Sequence, residues 1–268
     1  MTAPFPASAQ PASAQPAPPA PAGRPALLAI VDDETVVTEL VADKLRQHLA
    51  VAVDTYSSVD AFSLALAGGQ GRGPAHYDLV IADLSFPRDR GDGLEVVLGA
   101  HLAQPATAVV LYTDSDGSAA SLLRDVWEAV PLAGIVSKGS PVAALLHTVE
   151  RVLAGESGLI DPLLAALLPA ARSPYRSFEA YAGLVPHAGH AKLWRALVDG
   201  PDDPTYKQLQ EATGLRINTL RNYRNDLLPA LRLHGLDNPT IKDMQHFARR
   251  VRTLLAPHVR TKLPDPAT

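Results

Sequence analysis

The 268-residue sequence predicts an α/β chain, a doubly wound five-stranded parallel sheet followed by a small all-helical domain. Three observations carry this reading. Five short apolar runs alternate with helical patterns across the first half. From His190 onward apolar residues recur only at helical spacing. Charge also splits, with residues 1–185 at −9 and residues 186–268 at +5, so the total of −4 is a cancellation.

Ahead of the first run, residues 1–25 contain 8 Pro and 8 Ala, and Pro6-Ala7-Ser8-Ala9-Gln10 repeats as Pro11-Ala12-Ser13-Ala14-Gln15. Proline fixes φ and donates no backbone hydrogen bond, so this segment reads as a disordered, partly polyproline II tail. It has no basic n-region and no apolar h-region, which excludes a secretory signal. The expected division is tail 1–25, sheet domain 26–160, linker 161–186, helical domain 187–260 and a final tail 261–268. The linker is marked by Pro162, Pro169, Pro174 and Pro186, with Leu163 to Leu168 as a short helix. The sequence has no cysteine, which excludes disulfides, thiolate metal sites and a cysteine nucleophile. It has no apolar run long enough to span a bilayer, so no membrane span is expected.

The strands are expected at Leu27–Val31, Val51–Thr55, Leu79–Ala82, Val109–Tyr112 and Gly134–Val136. Val36, Val37, Leu40, Val41 and Leu45 repeat at helical spacing between the first two. Val59, Phe62 and Leu66 give a shorter helix. Leu122, Leu123, Val126, Trp127 and Val130 give another. Ser140 before Pro141 is expected to cap a helix that turns Val142, Leu145, Leu146, Val149 and Leu153 inward.

Sheets of this kind place ligands at the carboxyl ends of their strands. There the sequence puts Asp32-Asp33-Glu34, Asp83, Thr113 and Lys138. Three carboxylates on one edge repel each other unless a cation bridges them. Hard oxygen ligands with open positions suit Mg²⁺. A hydroxyl and an ammonium beside them suit phosphoryl oxygens, so the chemistry expected is phosphoryl transfer.

On these residues the segment from about Leu27 to Ala154 resembles the flavodoxin-like receiver domain of two-component response regulators. The resemblance rests on Asp32-Asp33, on Asp83 within Ile81-Ala82-Asp83-Leu84-Ser85-Phe86-Pro87, and on Thr113 and Lys138. It implies that a histidine kinase phosphorylates Asp83. It implies Mg²⁺ ligation by Asp33, Asp83 and the Ser85 carbonyl, with Asp32 acting through water. Thr113 and Lys138 would contact the phosphoryl oxygens and report the modification. The sequence departs from the family pattern at Ile135, where an aromatic is usual, and at Gly139-Ser140-Pro141 after the lysine. Asp114 follows the threonine, and Arg88-Asp89-Arg90-Gly91-Asp92-Gly93 is about two residues longer than the common loop.

In the last domain, Leu193, Trp194, Leu197 and Val198 form a stripe that ends at Gly200. Thr205 is expected to cap a helix over Tyr206 to Thr213 that buries Tyr206, Leu209 and Ala212. Gly214 supplies a positive φ, and the next helix opens near Asn218 with Leu220, Tyr223, Leu227 and Leu228 inside. Arg216, Asn218, Thr219, Arg221, Asn222, Arg224 and Asn225 form the candidate DNA-reading face, since Arg pairs with guanine edges or phosphates and Asn with adenine. This stretch resembles the LuxR-type helix–turn–helix effector domain in Gly214-Leu215, Asn218 to Tyr223 and Leu227-Leu228. Arg216 replaces the family's usual serine. Pro229 is expected to end or kink the reading helix. A further helix, Thr240 to Leu255, buries Ile241, Met244, Phe247, Val251 and Leu254. His187, His190, His234, His246 and His258 show no metal spacing and read as surface or packing residues.

The resemblances together imply a non-enzymatic phosphorelay regulator of transcription, with a histidine kinase and double-stranded DNA as partners, Mg²⁺ as cofactor and a homodimer as the assembly. Two alternatives stay open. One is a receiver that works by interaction alone. The other is a Mg²⁺-dependent phosphatase resembling haloacid dehalogenases, for which Glu34 stands where a second Asp is needed.

Overall fold

The computed structural model describes residues 24–68, 73–86, 92–114, 117–173 and 175–263, without the side chains of 117–119 and 121. The proline-rich segment before Arg24 and the loop at Arg88 to Gly91 lie outside the described residues. The chain divides into two compact units. One runs to Ala119 and resumes over Pro131–Leu167. The other joins Ala120–Val130 to Leu168–Thr268.

In the first unit the elements are β1 (Ala26–Val31), α1 (Thr35–His48), β2 (Val51–Tyr56), α2 (Val59–Ala67), β3 (Leu79–Ala82), α3 (Gly93–Ala103) and β4 (Ala108–Thr113). After α4 (Gly117–Ala129) come β5 (Gly134–Ser137), α5 (Val142–Leu153), β6 (Leu159–Ile160) and α6 (Pro162–Ala165). Every ladder is parallel, in the order β2-β1-β3-β4-β5-β6. The five expected strands are present within one residue at each end. The sheet nevertheless has six strands among the described residues, not five. Two residues of β6 pair Leu159 with Gly134 and Ile160 with Ile135. A two-residue strand is too short to leave a period in the sequence.

The central strands are buried on both faces and read as continuous apolar runs, as helix-covered parallel strands must. Leu28, Ile30, Leu79, Ile81, Val110 and Val136 form the core with Val41, Leu45, Leu145 and Val149 from α1 and α5. In α1 the buried face is Thr38, Val41, Ala42 and Leu45. Val36 and Leu40, expected on that stripe, are 83% and 52% exposed, because they sit a turn-fraction away from the i, i+3, i+4, i+7 row. Ser140 is not the helix cap either. Pro141 takes that position, and the Ser140 hydroxyl donates to Asp161 at 2.6 Å.

The second unit is helical. Besides most of α4, from Ala120 onward, it contains a 3₁₀ helix (Phe178–Leu184), α7 (Ala188–Asp199), α8 (Tyr206–Thr213), α9 (Ile217–Leu233), α10 (Ile241–Arg250) and α11 (Arg252–Lys262). Its core gathers Trp194, Leu193, Leu197, Leu209, Leu220, Leu231, Met244, Phe247 and Leu254. The Trp194 indole N–H donates to the Leu184 carbonyl at 2.6 Å. α8 covers the residues expected and is closed by a capping box between Thr205 and Gln208 and by Gly214 at φ 70°. Leu209 and Thr213 supply its buried face, whereas Ala212 is exposed.

Two elements differ from expectation in this unit. α9 continues from Ile217 to Leu233 with Pro229 inside it, so Pro229 does not end the helix. Pro229 is exposed, and buried Leu227 and Leu231 on either side keep the helix going by packing, which outweighs one missing hydrogen bond. The helix expected over Thr240 to Leu255 is two helices. Val251 leaves helical geometry at φ −106° and ψ 21°. That break lets Met244 and Phe247 on α10 and Leu254, Leu255 and Val259 on α11 all be buried. Among the described residues no helix is long and apolar enough to cross a membrane.

Candidate functional site

Four strand ends of the first unit build one acidic pocket. Asp32 and Asp33 follow β1, Asp83 follows β3, Thr113 closes β4 and Lys138 follows β5. Ligand oxygens of Asp32, Asp33 and Asp83 all lie within 4.8 Å of one another, and the three residues are buried. The Lys138 Nζ lies 2.9 Å from Asp32 Oδ2, 2.9 Å from Asp83 Oδ2 and 4.0 Å from Glu34 Oε2. The backbone shapes the same pocket. Asp32 Oδ1 accepts from the Glu34 N–H at 2.8 Å, and Asp83 Oδ1 accepts from the Leu84 N–H at 2.7 Å.

Burial pushes the Asp83 carboxyl above its ordinary range, and the neighbouring Asp32 charge pushes the same way. Lys138 and the Leu84 N–H oppose this without cancelling it. Burial works against the Lys138 charge, but its bonds to Asp32 and Asp83 win and hold the ammonium above its ordinary value. One ammonium therefore faces three carboxylates. The Thr113 hydroxyl is fully buried and has no hydrogen-bond partner among the described residues. A buried hydroxyl without a partner costs free energy. An all-oxygen donor set with excess negative charge fits a hard divalent cation. Ser85 follows in the strand-end turn and is exposed.

Two supports of this pocket lie outside the residues singled out from the sequence. Gly93 opens α3 directly against the phosphoacceptor candidate. A Cβ there would stand 2.3 Å from the Asp83 carbonyl oxygen and 2.5 Å from Leu84 Cα. The Asp92-Gly93 pair at a helix start is a legible cap signal, since Asp92 accepts from Glu95 N–H. The close approach of two segments is not legible. The second support is Asp161, read from sequence as the first linker residue.

In the second unit, Arg216 precedes α9 and is exposed, as are Asn218, Arg221, Asn222 and Asn225 on the helix. Thr219 is half-buried. The Arg221 guanidinium lies over the Tyr206 ring at 5.4 Å. Arg224 is different. Its Nε donates to the Pro239 carbonyl at 2.7 Å and its Nη2 to Asn238 Oδ1 at 2.9 Å, so it braces the α9–α10 turn. The histidines pack: His190 and His234 are buried, against Tyr223 and against Tyr181 and Phe247 respectively.

No family model and no curated protein matches the chain. Solved structures do. The isolated receiver domain of RcsB from Salmonella enterica serovar Typhimurium is 20% identical, with a TM-score of 0.43 over 55% of this chain and 100% of that one. The RcsB response regulator of Salmonella typhimurium is 17% identical, with a TM-score of 0.45 over 84% of this chain and 99% of that one. A response regulator receiver protein from Sinorhizobium medicae is 22% identical, with a TM-score of 0.40 over 48% of this chain and 95% of that one. At such TM-scores these likenesses do not bear on what the chain binds; the chain itself is a parallel α/β sheet unit joined to a helical unit that carries an Arg/Asn face.

Proposed function

We propose that the chain is a response regulator of a two-component phosphorelay, acting in the cytoplasm as a homodimer on double-stranded DNA. The observation that carries this is the union of Asp32, Asp33 and Asp83 with Lys138 and the buried Thr113 hydroxyl at one sheet edge. The Asp83 carboxylate attacks the phosphorus of a phosphohistidine on a histidine kinase. A P–O bond forms as the P–N bond breaks, and the leaving imidazole nitrogen keeps the electron pair. Asp33, Asp83 and the Ser85 carbonyl would hold Mg²⁺ directly and Asp32 would hold it through water. When bound, Mg²⁺ supplies charge that neutralises the phosphoryl oxygens. The Lys138 ammonium adds a second positive charge, and the Thr113 hydroxyl donates to a phosphoryl oxygen. Addition of a dianionic group changes which partners Lys138 and Thr113 hold, and that redistribution is the signal.

The output is DNA binding by α8, its Gly214 turn and α9 as a helix–turn–helix. Arg216, Asn218, Thr219, Arg221, Asn222 and Asn225 supply the reading face, and Arg224 braces it. The test of the switch is mass spectrometry after incubation with Mg²⁺ and acetyl phosphate. A single added phosphoryl group that disappears in Asp83→Asn is expected. An unmodified wild-type chain overturns the phosphoacceptor assignment. For the output, selection from random duplexes should enrich a site that Arg221→Ala with Asn222→Ala no longer retains. Equal retention by the double variant overturns the assigned face.

A further inference from the structure

Lys138 is carried by the turn from Ser137 to Ser140 between β5 and α5, and one side chain from outside that turn fastens it. Asp161 Oδ2 accepts from the Ser137 N–H at 3.1 Å and from the Ser140 hydroxyl at 2.6 Å. Its Oδ1 accepts from the Leu163 N–H at 2.9 Å, which starts α6. Asp161 is itself held in register, because β6 pairs with β5 and the Asp161 N–H donates to the Ile135 carbonyl at 2.8 Å. Inside the turn the Ser137 hydroxyl accepts from the Gly139 N–H at 3.1 Å. The Lys138 N–H donates to the Thr113 carbonyl at 2.9 Å, so this turn also adjoins the residue whose hydroxyl lines the pocket.

We propose that Asp161 is a positioning residue for the phosphoryl site: it clamps the Ser137–Ser140 turn and thereby aims Lys138 at Asp83. The added strand β6 serves to deliver this carboxylate to the turn. Ser140 is freed from helix capping, where Pro141 stands, and becomes one of the clamp's donors. The inference rests on the phosphoryl-transfer reading above, in which Lys138 neutralises the transferred group. In such a site a misplacement of about 1 Å costs up to about 100-fold in rate.

The test uses the full chain with Asp161→Ala and Asp161→Asn. Three quantities are read: the rate of phosphorylation by acetyl phosphate, the Mg²⁺ affinity by calorimetric titration, and acylation of each lysine by an amine-reactive reagent, with exposed Lys207 as internal reference. Asp161→Ala should phosphorylate at least about tenfold more slowly. Its Mg²⁺ affinity should stay within about twofold, and Lys138 should be acylated several times faster relative to Lys207, with Asp161→Asn in between. A folded Asp161→Ala with unchanged phosphorylation and unchanged Lys138 labelling overturns the proposal. Parallel loss of Mg²⁺ affinity with faster labelling of the other lysines also overturns it, because it marks general loosening. If Asp161→Ala does not fold, Ser140→Ala removes one clamp bond and is read in the same way. A wild-type chain that takes no phosphoryl group sinks the function above, whereas the labelling ratio still decides whether Asp161 holds Lys138.

Discussion

The Lys138 ammonium lies 2.9 Å from Asp83 Oδ2, and the same nitrogen reaches Asp32 at 2.9 Å. One cation thus ties the ends of β5, β3 and β1 while leaving the pocket with a surplus of negative charge. The strand order brings these ends to one edge, but the charge balance there decides stability.

Asp83 tests that balance. Its carboxyl sits above the ordinary range, chiefly through burial and then through Asp32. Between the ordinary and the raised value the folded chain holds a proton that the unfolded chain has released. Stability therefore falls as pH rises through that window. Asp83→Asn removes this titration. In Mg²⁺-free urea denaturation it should gain stability relative to wild type at pH 7.5, with the difference shrinking toward pH 4. A variant less stable than wild type at both pH values contradicts this account.

Gly93 has no room for a side chain. Gly93→Ala must push α3 away from the Asp83–Leu84 backbone, because its Cβ would meet main-chain atoms rather than a flexible side chain. The expected cost is about 1–3 kcal/mol of stability, with slower phosphorylation of Asp83. Wild-type values for both would show that the α3 start yields without consequence.

The helical unit carries an acid-sensitive pair. Burial first, and His187 beside it, push His190 down to about 4. Burial, then Arg176 and Arg250, push His234 down to about 4. The unfolded chain binds protons at these rings from about pH 6.5 downward, whereas the folded chain resists until about pH 4. Their stabilisation is complete above about pH 6.5 and is lost as pH falls toward 4, on the order of 2 kcal/mol for each ring. Replacing both with Phe should flatten the acid limb of the stability profile between pH 4 and 6.5. An unchanged slope means that these rings do not set it.

Arg221 and Arg224 separate surface from brace. Arg221 is exposed and rests on Tyr206, whereas Arg224 spends its donors on Pro239 and Asn238. Arg221→Ala should weaken retention on DNA with the thermal midpoint unchanged. Arg224→Ala should lower stability by about 1–3 kcal/mol through loss of hydrogen bonds from a charged donor. The opposite pattern reverses the two roles.

The sequence alone determined the order of the strands along the chain, the placement of Asp32, Asp33, Asp83, Thr113 and Lys138 at their ends, and the α8–Gly214–α9 layout. These are local properties: apolar runs, caps and turn residues act within a few positions of where they are read. Tertiary structure decided the rest. It brought Asp161 from beyond α5 to the Lys138 turn, pressed Gly93 onto Asp83, and carried α9 on past Pro229. It also split the last helix at Val251 and set the Arg224 donors on Pro239 and Asn238. Each of these depends on which distant segment packs or hydrogen-bonds alongside, and no period or spacing in one stretch of chain encodes what another stretch will press against it.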